Sequence, residues 1–119
     1  MDERPAVWIG HALLTVTDLD ASTSFWSSVG MRVVETNAHV SVLELRGGTH
    51  LVLVPGTASR GEAPFDLMVE DLDATHAAWS AAGIDPSPIE RGRIHDSFVA
   101  RDPDGYAVTV NSSHVVGTV

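Results

Sequence analysis

Apolar and polar positions fall into two alternating patterns, and the alternation then restarts. Residues 7–17 form a long apolar run ending in Thr15 and Val16, side chains suited to a pleated strand. Asp18 supplies a helix N-cap and Asp20 an acid in the first turn. Leu19, Phe25, Trp26 and Val29 then recur at roughly helical spacing, and Gly30 is the expected stop. Strands are predicted over 31–36, 39–46 and 49–54. Asn37-Ala38 and the hairpin signal Gly47-Gly48 separate them, and Pro55-Gly56 closes the last.

Residues 57–63 are polar and lack a period, so they read as a linker. The first pattern then resumes. Residues 65–70 read as a strand, and Asp71 caps a helix to Ala82 with Leu72 and Trp79 on its inner face; Gly83 ends it. Pro86 and Pro88 restrict residues 85–88 to an edge or extended segment. A loop over 91–93 leads to a strand over 95–101, the tight turn Asp102-Pro103-Asp104-Gly105, and a last strand over 106–111. Residues 1–6 read as a polar arm.

The restart is a repeat. Shifting residues 14–30 by 53 positions pairs Leu14/Leu67, Val16/Val69, Asp18/Asp71, Leu19/Leu72, Asp20/Asp73, Ala21/Ala74, Trp26/Trp79, Ser27/Ser80 and Gly30/Gly83. The chain is therefore read as an α+β domain of two βαβββ modules, 1–56 and 63–119, joined by linker 57–62. Each half forms a curled mixed sheet with its helix outside, and the two sheets enclose a cleft.

The period of two sorts side chains. Leu14, Val16, Leu51, Leu53, Phe65, Leu67, Val69, Val108 and Val110 are assigned to the helix faces. His11, Leu13, Thr15, His50, Val52, Val54, Pro64, Asp66, Met68, Ala107, Thr109 and Asn111 are assigned to the cleft.

Composition narrows the function. The net charge is −9, and seven Lys and Arg residues are too few and too scattered to neutralise phosphates, which argues against nucleic acid or an anionic membrane as partner. The chain has no cysteine, hence no disulfide, thiolate nucleophile or thiolate metal site. No apolar run reaches transmembrane length and no signal peptide opens the chain, so a cytoplasmic protein is expected.

Gly10-His11-Ala12-Leu13-Leu14-Thr15-Val16-Thr17-Asp18-Leu19, the Trp-containing helices and Phe98-Val99-Ala100-Arg101-Asp102-Pro103-Asp104-Gly105-Tyr106 resemble the vicinal oxygen chelate superfamily. That group includes glyoxalase I, bleomycin-resistance proteins and extradiol dioxygenases. The resemblance implies the paired βαβββ fold already read from the pattern. It also implies four metal-ligand positions, which here are His11, Val52, Pro64 and Thr109. Three of them ligate a divalent cation poorly, and a catalytic metal needs about three protein ligands. No cofactor is therefore expected, and His11 is the single metal ligand if a metal is used.

Two functional readings follow. One is a protein that binds a small organic molecule in the cleft, with Leu13, Thr15, Val52, Val54, Met68, Thr109 and Asn111 as contacts. The other is a lyase, isomerase or dioxygenase in which His11, His50 and Asp66 act as an acid/base set or as a displaced site for iron, zinc or manganese. A homodimer is expected in either case. Glu44 is read as an exposed strand residue, Arg91 and Arg93 as solvated loop charges, and Trp8, Trp26 and Trp79 as core. His39, His76 and His114 receive no role, and His95 is grouped with the loop arginines.

Overall fold

The computed structural model describes residues 3–119; the first two residues of the expected arm lie outside that range. The chain divides into two compact units. One comprises residues 1–59 with 115–119, the other residues 60–114.

The first unit runs β1 (His11–Val16), α1 (Leu19–Ser28), β2 (Arg32–Thr36), β3 (Ser41–Glu44) and β4 (His50–Pro55), with sheet order β1-β4-β3-β2. β1 lies parallel to β4, and the other neighbours are antiparallel. The helix starts as its sequence dictates: Asp18 Oδ1 accepts from the Ala21 amide at 3.0 Å. Its inner face buries Trp26 and Ser22 against Leu14, Val16, Leu43, Leu51 and Leu53, all 2 % exposed or less. The turn after β3 needs Gly47, whose φ of 83° is strained for any residue with a Cβ.

A chain of hydroxyls ties α1 to the sheet. Thr23 Oγ1 lies 2.6 Å from the Leu19 carbonyl and 2.8 Å from Ser41 Oγ, which lies 2.8 Å from Thr36 Oγ1. Thr23 Oγ1 directs its one proton towards both the Leu19 carbonyl and Ser41 Oγ, and in the Ser41–Thr36 contact either hydroxyl can donate. That is how Ser41 is buried completely within an apolar layer.

The second unit runs β5 (Gly61–Glu62), β6 (Leu67–Val69), α2 (Leu72–Ala81), β7 (Ser97–Arg101) and β8 (Tyr106–Ser112). β7 is antiparallel to β8, whereas β5 and β6 are both parallel to it. Since β7 occupies one edge of β8, β5 and β6 share the other as two pieces of one strand. Residues 63–66 interrupt them, and Pro64 there has no amide to donate to a ladder. Asp71 caps α2 as Asp18 caps α1, accepting from the Ala74 amide at 2.9 Å. Trp79 packs edge-on to Phe98, with ring centres 5.4 Å apart.

Several sequence expectations change. Residues 7–10 are not strand, and Trp8 is 67 % exposed instead of core. The run lies along the Gly48–His50 segment, where Thr49 Oγ1 donates to the Ile9 carbonyl and the His50 amide to the Gly10 carbonyl, yet Val7, Trp8 and Ile9 stay largely exposed. Residues 61 and 62, expected as linker, are already paired with β8. The strand expected from residue 95 starts at Ser97, because Asp96 spends its side chain on the loop, accepting from the Arg91 guanidinium at 2.8 Å and the Gly92 amide at 3.2 Å. A Cβ at Gly92 would collide with the His95 carbonyl, which explains the glycine.

Both sheets keep the expected parity within their strands, but Phe65, expected on the helix face, lies in the break before β6 and lines the same cavity as Asp66 and Thr109. Leu14, Val16, Leu51, Leu53, Val108 and Val110 are buried, while Leu13 is 58 % and Met68 46 % exposed on the opposite faces. Among the described residues, no helix is long and apolar enough to cross a membrane.

Candidate functional site

The helix-free face of the first sheet carries one row of polar side chains. The strand register places His11 beside His50, His50 beside Glu44, and Glu44 beside Arg32. Cross-strand partners share a face, so all four project from the side opposite α1. The His11 and His50 rings are 5.9 Å apart between centres. His50 Nε2 lies 3.1 Å from Glu44 Oε1, and Glu44 Oε2 accepts from the Arg32 guanidinium.

Glu44 is therefore a half-buried, doubly engaged carboxylate, its side chain 22 % exposed, and not the solvent-facing strand residue expected. Charge pairing permits that burial. Arg32 and Glu44 also border a shallow depression of about 350 Å³ with the Arg46-Gly47-Gly48 turn. Leu13, Thr15, Val52 and Val54 line the same face as the polar row.

The second sheet presents a different surface. Asp66 Oδ2 accepts from Asn111 Nδ2 at 2.9 Å, and Asn111 is buried at 6 % exposure. Around Asp66 lies a cavity of about 440 Å³ whose lining includes Phe65, Val99, Arg101, Ala107, Thr109 and Glu62. Its origin is visible in the register. Ala107 lies between Glu62 and Arg101, and Thr109 lies beside Val99. Two small floor residues and the break between β5 and β6 leave the space open. Of the expected ligand contacts, Thr109 lines this cavity, while Asn111 orients Asp66 from beside it.

Within the first unit His11 neighbours His50, and within the second Asp66 is bonded to Asn111. Outside these faces, Arg91 donates to Asp73 at 2.7 Å and to Asp96 at 2.8 Å, so it is an ion-paired strut and not a free loop cation. Its hydrogen bonds, helped by its charge, hold both carboxyls below the usual carboxylate range. His76, given no role from the sequence, bonds through Nε2 to the Ser87 carbonyl at 2.8 Å and stands edge-on to Phe98. His95 stacks on His114.

The family profile described as the Glyoxalase/Bleomycin resistance protein/Dioxygenase superfamily matches residues 8–110. The chain belongs to that superfamily. No curated protein matches. Among solved structures, lactoylglutathione lyase from Agrobacterium tumefaciens superposes with a TM-score of 0.79 at 22 % identity, covering 97 % of this chain and 100 % of the other. Oxidase ChaP-H1 gives a TM-score of 0.76 at 19 % identity over 94 % and 100 % of the two chains. The bleomycin resistance determinant encoded on transposon Tn5 gives 0.69 at 17 % identity over 92 % and 100 %. At these identities the likeness is one of fold.

The metal positions implied by the family do not suit an ion here. His11 is the only strong donor of the four, beside Val52, Pro64 and Thr109. Glu44, the nearest carboxylate to the histidine pair, already has both oxygens engaged. Among the described residues, no group of three or more His, Asp or Glu side chains is placed to hold a metal ion.

Proposed function

We propose that this superfamily member binds a small organic molecule on its helix-free sheet surfaces and does so without the family's metal. The observation that carries the reading is the position of Thr109. Where the family pattern places a ligand glutamate, this chain has a short hydroxyl side chain on the wall of a cavity of about 440 Å³. A space of that size suits a small ligand, and its mixture of apolar wall and few polar groups suits organic recognition. The bleomycin resistance determinant is a relative whose name fits such a role.

Two measurements test it. Protein purified without added chelator should contain metal far below one equivalent; near-stoichiometric iron, zinc or manganese that disappears in His11→Ala overturns the metal-free part. Saturation-transfer NMR across a fragment set should give binders that vanish in Thr109→Trp. Absence of any binder in the unmodified protein defeats the reading.

A second reading is favoured by the Glu44–His50 contact. A histidine oriented by a carboxylate is the arrangement of a general base, so an acid/base lyase or isomerase is the alternative. Mass analysis of a bound fragment after long incubation separates the two: an unchanged ligand supports binding, and conversion lost in His50→Gln supports the enzyme. A homodimer is proposed in both cases, and sedimentation at two concentrations reads it.

A further inference from the structure

We infer that the second-unit cavity takes the head of a small organic cation, an ammonium or amidinium on an apolar body, with Asp66 as its counter-ion. This deepens the binding reading and rests on it. The charged groups on the lining are two carboxylates, Asp66 and Glu62, and one guanidinium, Arg101. Arg101 already donates through Nη1 to the Gly105 carbonyl at 2.9 Å. It stands two strands from Glu62 with Ala107 between them, about 10 Å at ordinary strand spacing. The balance of charge on the lining therefore favours a positive guest.

Asp66 is the better placed of the two acids. Its Oδ2 is fixed by Asn111, which is itself immobilised by burial. A carboxylate has about four acceptor sites and this bond takes one. The remaining sites are held in a set orientation without the entropy loss that a free side chain would suffer on binding. Phe65 and Val99 supply apolar contact beside it, and an aromatic ring there also attracts a cation. Pro64 has no charge or donor to oppose a guest, and Thr109 supplies a hydroxyl that can accept from an ammonium.

The test uses three probes of one size, benzylammonium, benzyl alcohol and benzoate, titrated by NMR into the full chain. Benzylammonium should bind most tightly, with shifts at Asp66, Val99 and Thr109. Asp66→Asn, an exposed change that keeps the Asn111 bond, should weaken it about ten- to a hundredfold, the range for losing a hydrogen bond to a charged group. Arg101→Gln should strengthen it or leave it unchanged.

Equal binding of benzyl alcohol, or tighter binding of benzoate lost in Arg101→Gln, overturns the cation assignment while leaving small-molecule binding intact. Benzylammonium shifts that avoid the cavity overturn it too. No binding by any probe, in a protein that binds other fragments, overturns the cation assignment alone. No binding by anything overturns both readings.

Discussion

His50 Nε2 stands 3.1 Å from Glu44 Oε1, on neighbouring antiparallel strands. An ionised carboxylate only accepts, so this contact selects the ring tautomer with its proton on Nε2 and leaves the Nδ1 lone pair free. Arg32 fixes the far oxygen of the same carboxylate. Glu44→Gln should release that selection, because an amide can either donate or accept. Ring nitrogen NMR should show one tautomer for His50 in the native protein and a mixture in the variant. Stability should change by no more than about 1 kcal/mol, since the pair is partly solvated. An unaltered tautomer in Glu44→Gln refutes the assignment.

The three tryptophans separate by environment. Trp79 is 6 % exposed and edge-packed on Phe98, so Trp79→Ala should cost about 3–5 kcal/mol in urea unfolding. Trp8 is 67 % exposed, and Trp8→Ala should stay within about 0.5 kcal/mol. A large loss at Trp8 would mean that residues 7–10 are covered in solution, and analytical ultracentrifugation of the same variant would show whether a second copy covers them.

That contrast shows what the sequence makes legible. The repeat, the two Asp caps and the two-residue alternation each rest on local chemistry, so helices, strands and buried faces follow from them. The polar row does not. Counting back from the turn at residues 37–40 pairs Thr36 with Ser41 and would set Arg32 opposite Leu45. A bulge between Val33 and Glu35 shifts the pairing by one, which brings Arg32 beside Glu44. No residue type announces that bulge. Glu62 escaped for another reason: a two-residue strand before Pro64 has too little length for a period to appear. Trp8 stays 67 % exposed although it is strongly apolar, because residue type alone does not say how much surface a neighbouring segment covers.

Arg91 gives a pH prediction. Its guanidinium holds the Asp73 and Asp96 carboxyls below their ordinary value of 3.8. Groups lowered on folding add stability above their unfolded pKa and lose it as pH falls through the native one. Arg91→Gln should therefore lower the urea midpoint at neutral pH. The difference from the native protein should close as pH drops below 3.8. Arg91 and Asp73 are exposed and Asp96 partly so, so 1 M salt should also shrink it. A gap that persists at low pH would assign Arg91 a packing role instead.

Asp102 gives the opposite sign. Its Oδ1 accepts from the Asp104 amide at 3.0 Å and the Tyr106 amide at 2.8 Å, forming the turn before β8, while Oδ2 is buried without a hydrogen-bond partner. Burial pushes this carboxyl above its ordinary 3.8, outweighing the backbone amides of Tyr106, Asp104 and Gly105 that pull it down. A group raised on folding contributes fully below its unfolded pKa and loses that contribution as pH rises through the native value. Asp102→Asn keeps the Oδ1 acceptor and removes the charge, and a neutral polar group is cheaper to bury than an ion. Its stability relative to the native protein should therefore rise with pH above 3.8 and then level off. Asp102→Ala removes the acceptor instead and should cost about 1–3 kcal/mol at every pH, because the Tyr106 and Asp104 amides both lose the oxygen they donate to. Urea unfolding of the three proteins from acid to neutral pH separates these effects. If Asn proves as damaging as Ala at neutral pH, the carboxylate charge itself is required, and the turn must then supply it with a partner in solution.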